Sequence, residues 1–171
     1  EVLKSFLEES ITEIEQQLSS SNYKSAVEIG RKVSLRIGFQ FELDNPEIEL
    51  LSGKFWTFFA IALIYSEGTE EAFPILHRIV ERLEKQGSRY KQLDSNSTWL
   101  QVYHLVLGRA YNHLGYGYWM DKGCYGAALR EFHSALANFA EGKWEQETAT
   151  AYDNLGRVYA QLGHRMHAEF L

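Results

Sequence analysis

The sequence predicts an all-α protein, a stack of about four antiparallel helix hairpins, and three observations support this. The pair Leu114-Gly115 recurs as Leu155-Gly156, 41 residues later. Apolar residues recur at spacings of three and four, and capping residues divide the chain into helix-sized segments. Self-similarity at a fixed period is typical of repeat proteins, in which neighbouring hairpins bury one another's apolar sides. We therefore expect one helical repeat domain over residues 1–171.

Capping residues set the first helix boundaries. Asn22 can cap a helix that runs to about Ile37, and Gly38 closes it. Asn45 followed by Pro46 supplies an N-cap and a first helical residue, and two glutamates just after them favour the positive helix start. The sequence therefore predicts helices that begin near residues 22 and 45.

Two further helices are predicted to begin at threonines. Thr69 and two glutamates open a helix in which Pro74 is still early enough to cost little. Thr98 and Gln101 have the spacing of a capping box ahead of an apolar run. We expect this run to form a long helix.

The repeat motif around residues 99–121 fits two registers. Starting it at Leu107-Gly108 requires eight extra residues before the second helix, which begins near Tyr125, whereas starting it at Leu114-Gly115 requires one. We prefer the second register, because it keeps one uninterrupted helix with a turn at residues 122–123. An unstructured insertion would leave the apolar residues of 116–120 in water.

The final unit is predicted to contain a helix over about residues 148–162 and a last, truncated helix from about His164, giving eight helices in all. We expect Gly156 to lie at the close contact between these two helices and Gly142 to lie in a loop. The chain ends at Leu171 with little polar cover, so we expect this end to fray or to self-associate, as a dimer for example.

The final unit resembles the tetratricopeptide repeat (TPR) family. The matching residues are Leu155, Gly156, Tyr159, Leu162, Gly163 and Ala168. This resemblance implies a right-handed superhelical solenoid whose first helices line a concave groove that holds the ligand. Because the chain stops three residues after Ala168 and starts without an initiator Met, we expect it to be a fragment of a larger multidomain protein.

The repeat period points to a particular group within that family. The usual unit is about 34 residues, whereas the spacing between Gly115 and Gly156 is 41. Longer units of this kind, and the segments 127–136 and 153–156, are similar to the sensor regions of bacterial STAND or maltose-regulator-like signalling ATPases. The resemblance implies a non-catalytic protein- or peptide-binding scaffold or sensor segment of a bacterial signalling or transcription regulator.

The first helices of the last two units supply the candidate groove residues. Asn, Arg and aromatic side chains combine hydrogen bonding with flat apolar area, which suits an extended peptide or a partner's helix. An alternative for Tyr116 and Trp119 is that they pack under a neighbouring hairpin. The predicted ligand-binding groove residues are Arg109, Asn112, Tyr116, Trp119, Asp153, Asn154, Arg157 and Gln161.

Composition narrows the choice of partners and compartment. The net charge of −6 argues against nucleic-acid binding by this fragment. The apolar run at 55–65 has eleven residues, short of the roughly 20 that cross a bilayer, so we expect no membrane partner. A single cysteine, Cys124, rules out an internal disulfide, and no signal peptide is recognisable. We therefore expect a cytoplasmic location.

Residues for catalysis or cofactor binding are nearly lacking in the sequence. His164 and His167 could share a metal, but no Cys, Asp or Glu at ligand spacing completes the set. We therefore expect no enzyme activity, metal or cofactor. Two alternatives remain. A helical enzyme would need converging acid and base groups, and a small-molecule inducer module would need an enclosed pocket around Tyr116, Trp119, Tyr125 and Trp144.

Overall fold

The computed structural model describes residues 1–38, 45–93 and 97–169, and within these ranges the chain forms eight α-helices and no strand. The helices are α1 (Val2–Ser19), α2 (Tyr23–Ile37), α3 (Pro46–Ser66), α4 (Thr69–Lys85), α5 (Gly87–Lys91), α6 (Thr98–Met120), α7 (Tyr125–Glu141) and α8 (Glu145–Glu169). The predicted all-α class is confirmed.

The helices pack largely in the order in which they occur in the chain. Helices α1 and α2, α3 and α4, and α6 and α7 contact each other as hairpins, and the short α5 lies between the second and third. The second helix of each hairpin also contacts the next long helix: α2 packs on α3, α4 on α6 and α7 on α8. A further set of contacts joins α1 to α3, α3 to α6 and α6 to α8. Four helices thus lie in one row, with three more beside them.

Helix α3 forms the centre of the core. It contacts α1, α2, α4 and α6, and nearly all of its residues from Glu49 to Ile64 are buried. Within the described ranges it is the one helix long and apolar enough to cross a membrane, yet 78% of its apolar stretch is buried inside the protein. Its apolarity is therefore explained by packing between four other helices.

Most of the predicted helix starts are confirmed. The Asn45 side chain accepts hydrogen bonds from the backbone N–H groups of Glu47, at 2.9 Å, and Ile48, at 3.4 Å. Helix α2 follows Asn22 and ends before Gly38, whose φ is +60°. The Asn22 side chain donates to Gln17 instead of capping the helix. Helix α4 begins at Thr69 as expected.

The capping box predicted at Thr98 is wrong. Thr98 is the first residue of α6, the N-cap is Ser97, and no side chain caps the helix. The length of this helix was predicted correctly, because α6 runs unbroken to Met120 and the turn after it contains Gly123 with φ +60°. The second of the two registers therefore described the helix boundary correctly.

The helix break predicted near His164 is also wrong. Helix α8 continues through Gly163 to Glu169, so the expected last helix is the end of α8. One glycine in a helix costs about 1 kcal/mol relative to alanine, and this does not terminate a helix when no proline follows. The sequence did not predict the five-residue α5. Over its described residues the structure therefore also has eight helices, but α5 takes the place of the predicted last helix in that count. Phe170 and Leu171 lie outside the described residues.

The surroundings of Gly142 and Gly156 are the reverse of those that the sequence predicted. A Cβ built on Gly156 has no described atom within 4 Å, so Gly156 is not a close contact between helices. Gly142 lies in the turn between α7 and α8, as predicted, but its Cβ would lie 2.6 Å from Trp144 Cδ1 and 2.8 Å from His104 Cβ. The crowded glycine is therefore Gly142.

Close helix contacts occur instead between α6 and α7. A Cβ on Gly108 would lie 2.6 Å from the Phe139 ring, and one on Gly115 would lie 2.8 Å from the Phe132 ring. The later residue of α6 meets the earlier residue of α7, which shows that the two helices are antiparallel. Glycine is needed at both positions because a phenylalanine ring already fills the space of a side chain.

Candidate functional site

A row of aromatic side chains extends across α2, α3 and α6. The rings of Tyr23 and Tyr65 stack with their centres 5.0 Å apart, the rings of Tyr65 and Tyr116 are 5.4 Å apart, and those of Tyr116 and Trp119 are 6.2 Å apart. Tyr65 is 42% exposed, and the other three are partly buried. We call Tyr23, Tyr65, Tyr116 and Trp119 the aromatic row. It forms a continuous strip of ring surface that solvent reaches.

The aromatic row continues onto α8 through a hydrogen bond. The Trp119 Nε1–H donates to Gln161 Oε1 at 2.6 Å. Tyr116 and Trp119 share one face of α6 because residues three apart are neighbours on a helix surface. Side chains of four helices, α2, α3, α6 and α8, thus contribute to one surface.

Burial shifts the pKa values of Tyr65 in the row and of the neighbouring His113. Burial raises the pKa of Tyr65 to about 12, and the neighbouring Tyr116 and Tyr23 add to the shift. Burial lowers the pKa of His113 to about 4, and its ring lies edge-on to Tyr65 at 6.3 Å. His113 Nδ1 is 2.9 Å from the Arg109 carbonyl oxygen, which can only accept, so the neutral ring donates this bond. Both groups are therefore uncharged at neutral pH.

Polar side chains link α6 to α8 farther along the same surface. The Asn154 amide donates to Asn112 Oδ1 at 3.1 Å, and Asn112 is buried. Arg109 forms an ion pair with Glu147 at 3.1 Å, and its guanidinium lies 5.2 Å from the centre of the Phe58 ring. These residues hold the two helices together and border the aromatic row.

The structure groups six of the eight predicted groove residues between α6 and α8. They are Arg109, Asn112, Tyr116, Trp119, Asn154 and Gln161. The other two, Asp153 and Arg157, form an exposed ion pair with each other at 2.8 Å on α8. Tyr116 and Trp119 also pack against the apolar cluster between α7 and α8, in keeping with the alternative interpretation of these two rings. They are therefore both packing residues and surface residues.

The sequence interpretation missed four residues of this surface. Tyr65 and Tyr23 complete the aromatic row, Glu147 pairs with Arg109, and Phe58 supports the Arg109 guanidinium. Tyr65 was detectable, because it ends the apolar run at 55–65 at a position where the repeat motif has a tyrosine. No local pattern indicates Glu147, which lies 38 residues from its partner.

The enclosed pocket suggested for a small molecule does not form around the four residues named for it. Trp144 Nε1–H donates to the Gln101 carbonyl oxygen. Gln101 and Trp119 are 18 residues apart on α6, about 27 Å at the rise of an α-helix. Trp144 is therefore far from Trp119, and Tyr116, Trp119, Tyr125 and Trp144 cannot enclose one ligand.

A cavity of about 860 Å³ lies elsewhere, between the end of α4, α5, α6 and α7. Its walls combine charged and apolar side chains, and the buried His104 hydrogen-bonds with Asn138 at 3.1 Å. Burial, together with a hydrogen bond to Glu84, raises the pKa of the nearby Tyr111. The cavity is lined by residues including Glu84, Lys91, Tyr103, His104, Leu107 and Asn138.

The described part of the chain offers no cluster of three His, Cys, Asp or Glu residues that could hold a metal ion. His164 and His167 are exposed on α8, and Cys124 is exposed before α7. The aromatic row supplies apolar area that can contact a ligand, and the polar residues beside it supply hydrogen-bonding groups that can orient one.

Comparisons with protein-family models, with curated proteins and with solved structures find no match to this chain. The geometry of the aromatic row is therefore the main basis for a functional proposal.

Proposed function

We propose that the chain is a non-catalytic protein- or peptide-binding segment that holds an extended peptide or a partner's helix along the aromatic row. In this proposal α1, α3, α6 and α8 are the first helices of a right-handed, TPR-type superhelical solenoid. The concave groove is the surface that α3, α6 and α8 share, and Tyr23 of α2 lies at its end. The observation that carries the proposal is the unbroken series of contacts Tyr23–Tyr65–Tyr116–Trp119–Gln161 across four helices.

The composition of this surface supports binding of a polypeptide. Tyrosine and tryptophan supply large apolar area with a polar edge, and they dominate the binding energy of many protein interfaces. Each ring is held by its neighbour, so less side-chain entropy is lost when a ligand binds. The Gln161 amide provides a hydrogen-bonding group beside the Trp119 ring, and the exposed Asp153–Arg157 pair lies on the same helix, α8.

The proposed setting is a cytoplasmic sensor segment of a multidomain bacterial signalling or transcription regulator. Its support is the resemblance of the Leu-Gly repeats and their long period to such sensor regions. In that setting a bound partner would stabilise one arrangement of the stacked hairpins, because ligand binding favours the conformation with higher affinity.

A small-molecule inducer module is the second candidate, and the cavity beside α5 favours it. Its volume of about 860 Å³ lies within the range of roughly 300–1,000 Å³ typical of small-molecule sites. Ala137→Trp would place an indole at the cavity wall, whereas Tyr65→Ala would leave that wall unchanged. A small molecule whose stabilising effect is lost in Ala137→Trp but kept in Tyr65→Ala would support this candidate over peptide binding.

Selection of peptides from a display library tests the main proposal. We expect selected peptides to bind Tyr65→Ala and Trp119→Ala at least ten-fold more weakly than the wild-type chain, as measured by fluorescence anisotropy. Leu35→Ala is the control, because Leu35 is an exposed apolar residue of α2 that belongs to neither the aromatic row nor any other proposed binding surface. Circular dichroism verifies that each variant is folded. Equal affinities for the wild type and both row variants would contradict the proposal.

A further inference from the structure

Helices α6 and α8 contain closely similar nine-residue segments. The segment Leu107–Gly115 and the segment Leu155–Gly163 are identical at six of nine positions. In both, two glycines lie seven residues apart, which is nearly two helical turns and places them on the same face. Each of the two helices therefore has one face with two positions where no side chain of its own fills the space next to the helix.

On α6 this face is occupied by α7. The rings of Phe139 and Phe132 lie where side chains at Gly108 and Gly115 would extend. The two phenylalanines are themselves seven residues apart, so each ring of the antiparallel α7 fits over one glycine. Both rings are buried. The α6 segment therefore shows that such a face packs against an antiparallel helix with two phenylalanines seven residues apart.

On α8 no described residue covers the equivalent face. Side chains built on Gly156 and Gly163 have no described atom within 4 Å. Tyr152, Tyr159 and Met166 flank the glycines and are each more than half exposed. We call Tyr152, Gly156, Tyr159, Gly163 and Met166 the open glycine face. It is an apolar surface with space at two fixed positions.

We infer that the open glycine face binds an amphipathic helix of a partner protein, antiparallel to α8, with two aromatic side chains seven residues apart over Gly156 and Gly163. The warrant is the α6–α7 interface, in which the similar segment binds a helix with these features. A second copy of this chain cannot offer its own α7, because Phe132 and Phe139 are already buried against α6. This site lies outside the aromatic row and does not rest on the function proposed for that row.

A synthetic peptide with the α7 sequence, residues 125–141, serves as the probe, because it carries the required pair of phenylalanines. We expect the fluorescently labelled peptide to bind the chain, and a peptide with both phenylalanines replaced by alanine to bind at least ten-fold more weakly. The chain variants Gly156→Leu and Gly163→Leu should lose at least ten-fold in affinity, because leucine fills the space of a ring. Gly126→Leu is the matched control, since Gly126 is also a helical glycine with no described atom near its Cβ.

Three results would overturn this inference: no binding of the wild-type peptide, equal affinities for Gly156→Leu and Gly126→Leu, or a dimer in sedimentation velocity that Gly156→Leu abolishes. The last result would mean that a second copy covers this face. Peptides selected for the aromatic row should bind Gly156→Leu normally, and Tyr65→Ala should bind the α7 peptide normally. Failure of one proposal is therefore distinguishable from failure of the other.

Discussion

His113, whose ring lies edge-on to Tyr65 of the aromatic row, is neutral in the folded protein. Burial holds the pKa of His113 at about 4, below the value of about 6.5 for an unfolded chain. As pH falls, the unfolded state therefore takes up this proton first, and stability is lost between pH 6.5 and pH 4. Because Nδ1 donates to the Arg109 carbonyl, the second proton would bind at Nε2 and place a positive charge beside the Tyr65 ring.

The first prediction concerns this histidine. In His113→Phe the group that titrates is gone, so the variant should lose less stability than the wild type when pH falls from 7 to 4.5. We expect a difference of about 1–2 kcal/mol, since each pKa unit corresponds to about 1.4 kcal/mol and the ring is only partly buried. Denaturant titrations at both pH values measure it, and the same pH-dependent loss in both proteins would refute the assignment.

The second prediction compares two glycines. A leucine at Gly142 must displace Trp144 and His104, so Gly142→Leu should destabilise the protein by about 1–3 kcal/mol. Gly156→Leu should be close to the wild type, because that position is open and leucine favours helix more than glycine does. Urea unfolding midpoints test this. A lower midpoint for Gly156→Leu than for Gly142→Leu would restore the packing role that the sequence suggested for Gly156.

At the scale of helices, the sequence predicted those features that depend on local chemistry. The Asn45 cap and the unbroken α6 follow from capping residues and apolar periodicity. The sequence did not predict that α8 continues through Gly163, because a glycine after a leucine also marks many helix ends. Which glycine is crowded depends largely on side chains of other helices, the rings of Phe139 and Phe132 at Gly108 and Gly115 and the His104 side chain at Gly142. No local pattern reveals these contacts.

The third prediction concerns the continuity of α8. If the helix is unbroken, the Cα chemical shifts of residues 160–166 should all have helical values. Two helices meeting near His164 would instead give a non-helical interruption at Gly163. Gly108 and Gly115 provide internal references, because both are glycines inside the continuous helix α6. NMR assignment of the chain decides between these outcomes.

The whole molecule combines the buried helix α3 with two separate exposed surfaces, the aromatic row and the open glycine face. Helix α3 is enclosed by four neighbours, whereas the main contacts of α8 are with α6 and α7. In such a stack, the stability of each unit depends on its nearest neighbours, so the α8 end should open more easily than the centre. The sequence indicated six side chains that meet between α6 and α8, and the repeat motif also marks Tyr65. It did not indicate the contacts of Tyr23 and Glu147, because those depend on how distant hairpins stack.

The fourth prediction follows from this difference in packing. Amide hydrogens of residues 160–167 in α8 should exchange faster than those of residues 55–64 in α3, since they open with less loss of buried apolar contact. Hydrogen exchange followed by mass spectrometry measures both segments in one experiment. Equal protection across a range of protein concentrations would contradict this prediction, and protection of α8 only at high concentration would indicate self-association.

The central claim is that a polypeptide ligand lies along the aromatic row, and a complex with a display-selected peptide tests it most directly. Intermolecular nuclear Overhauser effects can be measured between the peptide and ring protons of Tyr65, Tyr116 and Trp119. We predict contacts to all three rings, which lie within a continuous series on α3 and α6. Peptide contacts confined to the cavity beside α5, or to any surface without Tyr65 and Trp119, would contradict the claim.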